Sequence, residues 1–191
     1  MRDVRRLAPH TIALEFDALP RIIRSRYADQ PKGLSSGPSR FSSVSGAFRV
    51  LYAAQDFPTA FAEAVIRDRF VDRRRRFIGL ATLAARAVTL IATTAPLKIL
   101  DARGDAAYVL GIDTNAIRAR AHEPGQAFSE WLNAATDFDG LLYDSRLTGR
   151  SCVAVYDHAV AQIEASPAVP LVVHESLIAE LHRLNIAVRA R

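Results

Sequence analysis

The sequence has little cysteine, little lysine and no long apolar run, and each shortage narrows the classes of protein that it could belong to. The single cysteine, Cys152, cannot form a disulfide within the chain, and the apolar pattern around it predicts a small core residue. No run approaches the roughly 18 apolar residues of a membrane-spanning helix. The first ten residues lack the apolar segment of a secretory signal. We therefore expect a cytoplasmic protein without a membrane partner.

Lysine is almost absent, because only Lys32 and Lys98 among the 25 Lys and Arg residues are lysines. Arginine offers phosphate and carboxylate a planar fork of donors, whereas lysine is a point charge. The bias fits phosphate binding, or simply the base composition of an Ala- and Arg-rich coding sequence. The densest basic run, residues 67–77, is predicted to be a solvated helix end or a surface for an acidic partner. No known DNA- or RNA-binding motif surrounds it, so direct nucleic-acid binding is not expected.

Signatures of several common enzyme classes are also missing. The five histidines stand singly, without the spacing of a metal-binding cluster, so we expect no metal site. Neither a G-x-G-x-x-G fingerprint nor a Walker A motif occurs. A Rossmann dinucleotide fold and a P-loop nucleotide hydrolase are therefore disfavoured.

The length and composition predict one domain: 191 residues, half of them apolar, can bury a sizeable core. Residues 48–54 alternate as a strand, with Phe48, Val50 and Tyr52 on one face, and Asp56 with Pro58 predicts the start of a helix. The other predicted elements are a Gly-, Pro- and Ser-rich loop at residues 28–43, two or three strands in 77–104, helices near 105–112, 114–122 and 126–136, two short strands in 138–157 joined by a turn with Thr148 and Gly149, and a final helix over 175–190. No repeat or linker divides residues 1–191, which we assign to one mixed α/β domain.

Glu63 is the one carboxylate on the Ala-rich helix predicted after Asp56. On an α-helix it would share a face with Thr59, Ala60, Ile66 and Arg67. Periodicity alone favours a surface ion pair between Glu63 and Arg67, worth a few tenths of a kcal/mol.

Ser145 follows the predicted strand "GLLYD" but does not stand in the G-x-S-x-G pattern of a nucleophile elbow. No histidine lies in a recognisable partner position. From its surroundings alone, Ser145 is a weak nucleophile and is most simply a turn residue that bonds nearby backbone.

Four segments in order give the chain a resemblance to the RES-domain family, the toxin half of bacterial RES–Xre toxin–antitoxin pairs. They are "LPRIIRSRY", "SRFSS", "VLYAAQDFPTAFAEAV" and "GLLYDSRLTGRSCVAVYD", with "LKILDARG" as weaker support, and they span about residues 19–157. Matched by motif, the family's first Arg falls on Arg21 or the nearby Arg24, its second Arg on Arg40, its Tyr on Tyr52, its Glu on Glu63 and its Ser on Ser145. The sequence departs from many members by having "SRFSS" where a Gly-rich "GGR" and an Asn are frequent.

The resemblance implies an α+β fold, a single compact RES domain with an ADP-ribosyltransferase-like split β core surrounded by helices. It implies a toxin that acts on NAD+ as its substrate, without a metal, by hydrolysis, by phosphorolysis or by transfer of ADP-ribose to a protein. The sequence does not separate these three acceptors. It also implies a hetero-oligomer with a cognate Xre-like antitoxin that carries a helix-turn-helix region.

The resemblance also implies a role for each matched residue. Glu63 would stabilise positive charge on the ribose, and Arg21 and Arg40 would clamp the pyrophosphate. Tyr52 would stack on the nicotinamide or orient the ribose, and Ser145 would position its neighbours by hydrogen bonding. The alternative is a non-enzymatic basic module that docks on an acidic partner or a nucleic acid, which the "RRRR" run supports.

Overall fold

The β core is divided between two sheets in the computed structural model, which describes residues 3–34, 38–118 and 120–190. In chain order the strands are β1 Thr11–Leu14, β2 Leu19–Arg24, β3 Val50–Ala54, β4 Arg76–Gly79, β5 Arg86–Thr93, β6 Leu97–Asp101, β7 Gly140–Asp144, β8 Ser151–Tyr156, β9 Ile163–Ala165, β10 Val169–Pro170 and β11 Ile186–Arg189. The helices are α1 Phe57–Phe61, α2 Leu80–Ala84, α3 Ala106–Val109, α4 Thr114–Arg118, α5 Glu123–Ala135 and α6 Leu177–Arg183, with a π-helical turn at Ala62–Ile66 and 3₁₀ turns at Val4–His10, Ser25–Tyr27, Asp157–Gln162 and Leu171–Val173.

The two sheets of the core meet edge to edge, and β4 and β11 form a third, two-stranded sheet. The larger has the order β1-β6-β7-β8-β3 and is antiparallel except between β6 and β7. The second has the order β10-β5-β2, and β9 also pairs with β5. Edge strands β3 and β2 lie side by side, and no backbone ladder joins them among the described residues. The predicted α+β class with a split β core is confirmed. A cleft lies between β2 and β3, the two strands at which the core is split.

Strand β3 separates two apolar cores, because successive side chains of a strand point to opposite faces. Val50 and the partly buried Tyr52 pack with Phe48 in one core, whereas Leu51 and Ala53 pack in the other. The predicted face of Phe48, Val50 and Tyr52 is therefore confirmed. Burying a Val, Leu or Phe side chain contributes about 1.5–3 kcal/mol, so this strand anchors the cleft wall to both cores.

Helix α1 begins as predicted. The Asp56 carboxylate caps it by accepting the Thr59 backbone N–H at 2.8 Å, with Pro58 in the first turn. After Phe61 the chain continues as the π-helical turn, which closes with a bond from Arg67 N to the Ala62 carbonyl at 2.7 Å. The carboxylate of interest, Glu63, therefore lies on a widened turn and not on a regular α-helix.

The last predicted helix is wrong in its second half, since α6 ends at Arg183 and the chain then forms strand β11. Asn185 adopts a positive φ of 52°, a conformation that asparagine tolerates and that stops a helix. The following residues, with β-branched Ile186 and Val188, pair in parallel with β4.

Two or three strands are predicted in the region 77–104; the structure has three, with the unpredicted helix α2 between the first two. The two strands around the Thr148–Gly149 turn are confirmed as β7 and β8, and Gly149 has a positive φ of 69°. Positions 35–37 of the predicted loop and position 119 of the predicted helix at 114–122 lie outside the described residues. In the described part of the chain, no helix has both the length and the apolar character to cross a membrane.

Candidate active site

A cavity of about 300 Å³ lies in the cleft between β2 and β3, and the π-helical turn forms another of its walls. Four of the residues singled out in the sequence line it: Arg21, Arg40, Tyr52 and Glu63. The fifth, Ser145, lies directly behind Glu63. The structure thus brings together residues that are spread over more than a hundred positions of the sequence.

Arg24, the alternative first arginine, is placed elsewhere. It is the exposed last residue of β2, opposite Arg86 of β5, and is not among the described residues that line the cavity. Arg21 is therefore the arginine of β2 that faces the site.

Ser145 holds the Glu63 carboxylate. Its hydroxyl donates to Glu63 Oε1 at 2.6 Å and accepts the backbone N–H groups of Leu147 and Thr148 at 3.1 and 3.2 Å. Because both backbone donors use the hydroxyl's acceptor capacity, its proton is directed to Glu63. Ser145 is also only 2% exposed, so it serves as both a turn residue and a support for the carboxylate, and not as an accessible nucleophile.

The surface ion pair favoured by periodicity is not formed: among the described residues, no ion pair joins Glu63 to Arg67. The π-helical turn is wider than an α-helical one, so the three- and four-residue spacing no longer predicts which side chains share a face. Accordingly Ile66, predicted on the face of Glu63, packs against an apolar core, whereas Ala60 and Arg67 from the same predicted face line the cavity.

Arg21 spans the split between the sheets. Its Nη1 donates to the Tyr52 carbonyl on β3 at 3.0 Å, and its Nη2 donates to the Gly33 carbonyl. Burial lowers the pKa of Arg21 to about 10, which leaves it charged at neutral pH. Its Nε is buried without a hydrogen-bond partner in the protein. The residue therefore places a positive charge and one free donor beside the cavity.

Arg40 lines the cavity from the segment before β3. Its Nη1 is buried without a partner, and burial lowers the pKa of the guanidinium, a shift that the nearby Glu63 charge opposes. No described carboxylate forms an ion pair with Arg21 or Arg40. Buried donors are nearly always satisfied, so the unpartnered nitrogens of the two arginines have hydrogen-bonding capacity that an anionic ligand could use.

The Tyr52 hydroxyl makes contacts within the protein that the sequence does not predict. Its hydroxyl shares a hydrogen bond with Ser39 Oγ at 2.8 Å and accepts the Phe41 backbone N–H at 3.1 Å. Burial raises the pKa of Tyr52 to about 12, so the hydroxyl stays protonated. The ring lines the cavity, while the hydroxyl holds the two residues that flank Arg40.

Cys152 and Tyr143 also line the cavity, on neighbouring strands β8 and β7. The prediction of a buried Cys152 is confirmed, with 3% of the residue exposed. Burial raises the pKa of the thiol to about 12 and that of the Tyr143 hydroxyl well above its usual value. The thiol is therefore uncharged at neutral pH and is a poor nucleophile.

His122, Arg67 and Arg146 also line the cavity, although none of them was predicted as a site residue. Arg146 is bonded to the Asp68 carboxylate at 2.8 and 3.0 Å. Burial, followed by the charges of nearby arginines, lowers the pKa of His122, so the imidazole is neutral at pH 7. Arg146 stands next to Ser145 and could have been suspected; nothing in the sequence marks His122. The described residues contain no cluster of three or more His, Cys, Asp or Glu that could hold a metal ion.

Two arginines, a glutamate and a serine are gathered where the β core is split. Known proteins with a similar sequence or fold identify the class of domain that has this arrangement. The sequence model of the RES domain matches residues 18–174, and the chain belongs to the RES-domain family. A probable toxin, y4kH of Sinorhizobium fredii, is 32% identical over 119 residues, which cover 61% of this chain and 93% of that protein. The M. tuberculosis MbcT–MbcA toxin–antitoxin complex contains a chain that matches with a TM-score of 0.60 and 16% identity, over 88% of this chain and 91% of that one. The last likeness shows a shared fold.

Proposed function

We propose that this RES domain is a toxin that consumes NAD+ by breaking the bond between nicotinamide and ribose. One observation carries the proposal: Glu63 is the only carboxylate among the described cavity-lining residues. It shares the cavity with the buried Arg21 and the partly buried Arg40, and neither arginine forms an ion pair with a described carboxylate. NAD+ combines a cationic nicotinamide ribose with an anionic pyrophosphate. A carboxylate next to a pair of guanidinium groups complements both charges.

The first step needs no proton donor. When the C1′–N bond breaks, its electron pair moves to the nicotinamide nitrogen, and nicotinamide leaves as a neutral base. The sugar retains an oxocarbenium-like positive charge at C1′. Glu63, fixed by the Ser145 hydroxyl at 2.6 Å, would stabilise this charge. A pre-organised group of this kind contributes about 3–4 kcal/mol, roughly a hundred- to a thousandfold in rate.

The second step completes the reaction at C1′. The oxygen of water or of a protein side chain forms a bond to C1′ and releases its proton to solvent, or a phosphate oxygen forms that bond. The products are ADP-ribose, a protein-linked ADP-ribose or a phosphorylated ADP-ribose, respectively. All three acceptors would meet the same cation in the same cavity, so the proposal covers each of them.

The pyrophosphate would bind to the arginines. Arg21 uses two of its nitrogens on backbone carbonyls and retains Nε for the ligand, whereas Arg40 has its buried Nη1 to offer. Arg40 is therefore the main clamp, and Arg21 chiefly fixes the two edge strands around the ligand.

The toxin assignment has its support in the relatives, one of which is a probable toxin and the other a toxin–antitoxin complex. We propose that this chain likewise acts in the cytoplasm and is neutralised in a hetero-oligomer with a cognate Xre-like antitoxin. We also propose that residues 1–191 form a single RES domain. Strands β1 and β11 lie outside the matched region, yet β1 pairs with β6 and β11 with β4, which supports this extent.

Expression of the protein in bacteria without its antitoxin should arrest growth while cellular NAD+ falls or an ADP-ribosylated protein accumulates. Co-expression of the antitoxin should restore growth. The control is the Glu63→Gln variant, which should accumulate as folded protein without arresting growth. Normal growth with folded parent protein and unchanged NAD+ and protein modification would refute the proposed function.

The antitoxin should bind in part through the basic run beyond the π-helical turn. Arg69, Arg73, Arg74 and Arg75 are exposed, and none forms an ion pair with a described carboxylate. Reversing residues 73–75 to Glu should weaken the complex by about tenfold or more and reduce its salt dependence, because exposed interface charges act through screened attraction. Titration calorimetry at several salt concentrations measures both effects.

The matched control reverses three arginines elsewhere, Arg5, Arg6 and Arg49, which changes the net charge by the same amount. These side chains are also exposed. Equal affinity of all three proteins across salt concentrations would show that the basic run is only a solvated surface.

A further inference from the structure

The segment that carries Arg40 has neither helix nor strand over residues 39–45, so its shape depends on the elements that hold it. On one side, the Tyr52 hydroxyl contacts Ser39 and the Phe41 backbone. The other side of the segment lies along helix α5, which begins immediately after His122 at the cavity wall.

Two buried polar side chains of α5 bond to the core of this segment. Ser129 Oγ donates to the Phe41 carbonyl at 2.9 Å, and Gln126 Nε2 donates to Ser42 Oγ at 3.3 Å. Ser129 is fully buried and Gln126 is 8% exposed. Buried polar groups of this kind fix a backbone because their loss leaves an unsatisfied partner.

Glu130, one helical turn after Gln126 on α5, bonds to the end of the segment. Its Oε1 accepts the backbone N–H groups of Val44 and Ser45, each at 2.8 Å, and the hydroxyls of Ser43 and Ser45 at 2.8 and 2.9 Å. These bonds, the Ser45 backbone bond first, lower the pKa of Glu130 to about 2. The carboxylate is therefore charged at every physiological pH and closes the segment onto the helix.

Gly125 brings the helix against Arg40 itself. A Cβ at this position would lie 2.5 Å from the Arg40 carbonyl oxygen, 2.7 Å from Arg40 Cγ and 2.8 Å from the Ala116 carbonyl oxygen. Two of these atoms are backbone, so they cannot rotate away as the end of a flexible side chain could. Only glycine permits this approach.

The spacing of Gly125, Gln126, Ser129 and Glu130 places all four on one face of α5, which we call the α5 stripe. We infer that the α5 stripe is the positioning element of Arg40 and that it thereby sets the affinity of the site for an anionic ligand. The identity of the ligand as the NAD+ pyrophosphate rests on the proposed function, whereas the positioning of Arg40 does not.

The test begins with a readout that needs no substrate. The side-chain ¹⁵N–¹H signal of Arg40 Nε, assigned by its loss in Arg40→Lys, should shift in Gly125→Ala and in Glu130→Ala. Glu130 is only partly buried, so its variant should fold even if Gly125→Ala does not. The matched control is Gly79→Ala, where an added Cβ would meet only Thr82 Oγ1 at 3.8 Å and the signal should stay in place.

The second readout is the KM for NAD+. Gly125→Ala should raise KM by about tenfold with a smaller change in kcat, and it should add little to Arg40→Ala because both act on one contact. An unmoved Arg40 signal in both α5 variants would overturn the inference, as would full additivity with Arg40→Ala. A parent protein that leaves NAD+ intact would refute the proposed function instead, and the Arg40 signal would then decide the positioning role alone.

Discussion

Glu63→Gln should abolish NAD+ consumption while leaving the fold intact. Glutamine keeps the size of the side chain and an oxygen that can accept the Ser145 hydroxyl, which donates to Glu63 Oε1 at 2.6 Å. It removes the negative charge that the proposed mechanism places beside the ribose cation. We expect kcat to fall by about a hundred- to a thousandfold. Nicotinamide release measures the rate, and thermal unfolding should show a Tm within a few degrees of the parent.

The control is Glu164→Gln, the same chemical change on an exposed residue of β9, which should leave turnover unchanged. Comparing the two variants shows whether turnover depends on the charge of Glu63 itself or only on the net charge of the protein. A Glu63→Gln protein that consumes NAD+ at the parent rate would end the assignment of the site.

Arg40→Ala should raise the KM for NAD+ and also slow turnover. The substitution removes the guanidinium whose buried Nη1 has no partner in the protein. A lost hydrogen bond to a charged group costs about 1.5–3 kcal/mol, which corresponds to roughly a ten- to hundredfold loss in kcat/KM. Initial rates over a range of NAD+ concentrations measure both constants.

The paired control is Arg49→Ala, since Arg49 is exposed and outside the cavity lining. Its constants should match those of the parent. An Arg40→Ala protein with an unchanged KM would show that the pyrophosphate binds elsewhere, even if Glu63 were confirmed.

The sequence predicts most reliably what depends on local pattern. The alternation in β3 predicts the face of Phe48, Val50 and Tyr52, and the Asp56–Pro58 pair predicts the start of α1; both are confirmed. The prediction fails where local pattern and tertiary context conflict. The Leu- and Ala-rich end of the chain favours a continuous helix, but Asn185 ends it and the last residues pair with β4. Sequence periodicity also assumes 3.6 residues per turn, which the π-helical turn after α1 does not have.

In the site, too, some features can be predicted from the sequence and others depend on the tertiary fold. The resemblance supplies Glu63 and Ser145, but their contact across 82 positions follows only from the fold. The Tyr52 carbonyl accepts a hydrogen bond from Arg21, and its hydroxyl bonds to the residues on both sides of Arg40. A tyrosine in the sequence does not by itself predict these contacts. The role of Gly125 is harder still to predict, because it lies just before the helix predicted over 126–136, where a glycine ordinarily indicates only a loop or a helix boundary. Its closeness to Arg40 requires the packing of two segments 85 positions apart.

The most direct test of the central claim is to incubate the purified protein with NAD+, with and without phosphate and with a bacterial protein extract, and to identify the products by mass. We expect the parent protein to release free nicotinamide, with an ADP-ribose moiety on water, phosphate or protein, under at least one of these conditions. Glu63→Gln should form both products at least about a hundredfold more slowly. The presence of phosphate or extract would then identify the acceptor. Intact NAD+ after incubation with folded protein, under all three conditions, would contradict the account and favour a non-enzymatic basic module that binds an acidic partner.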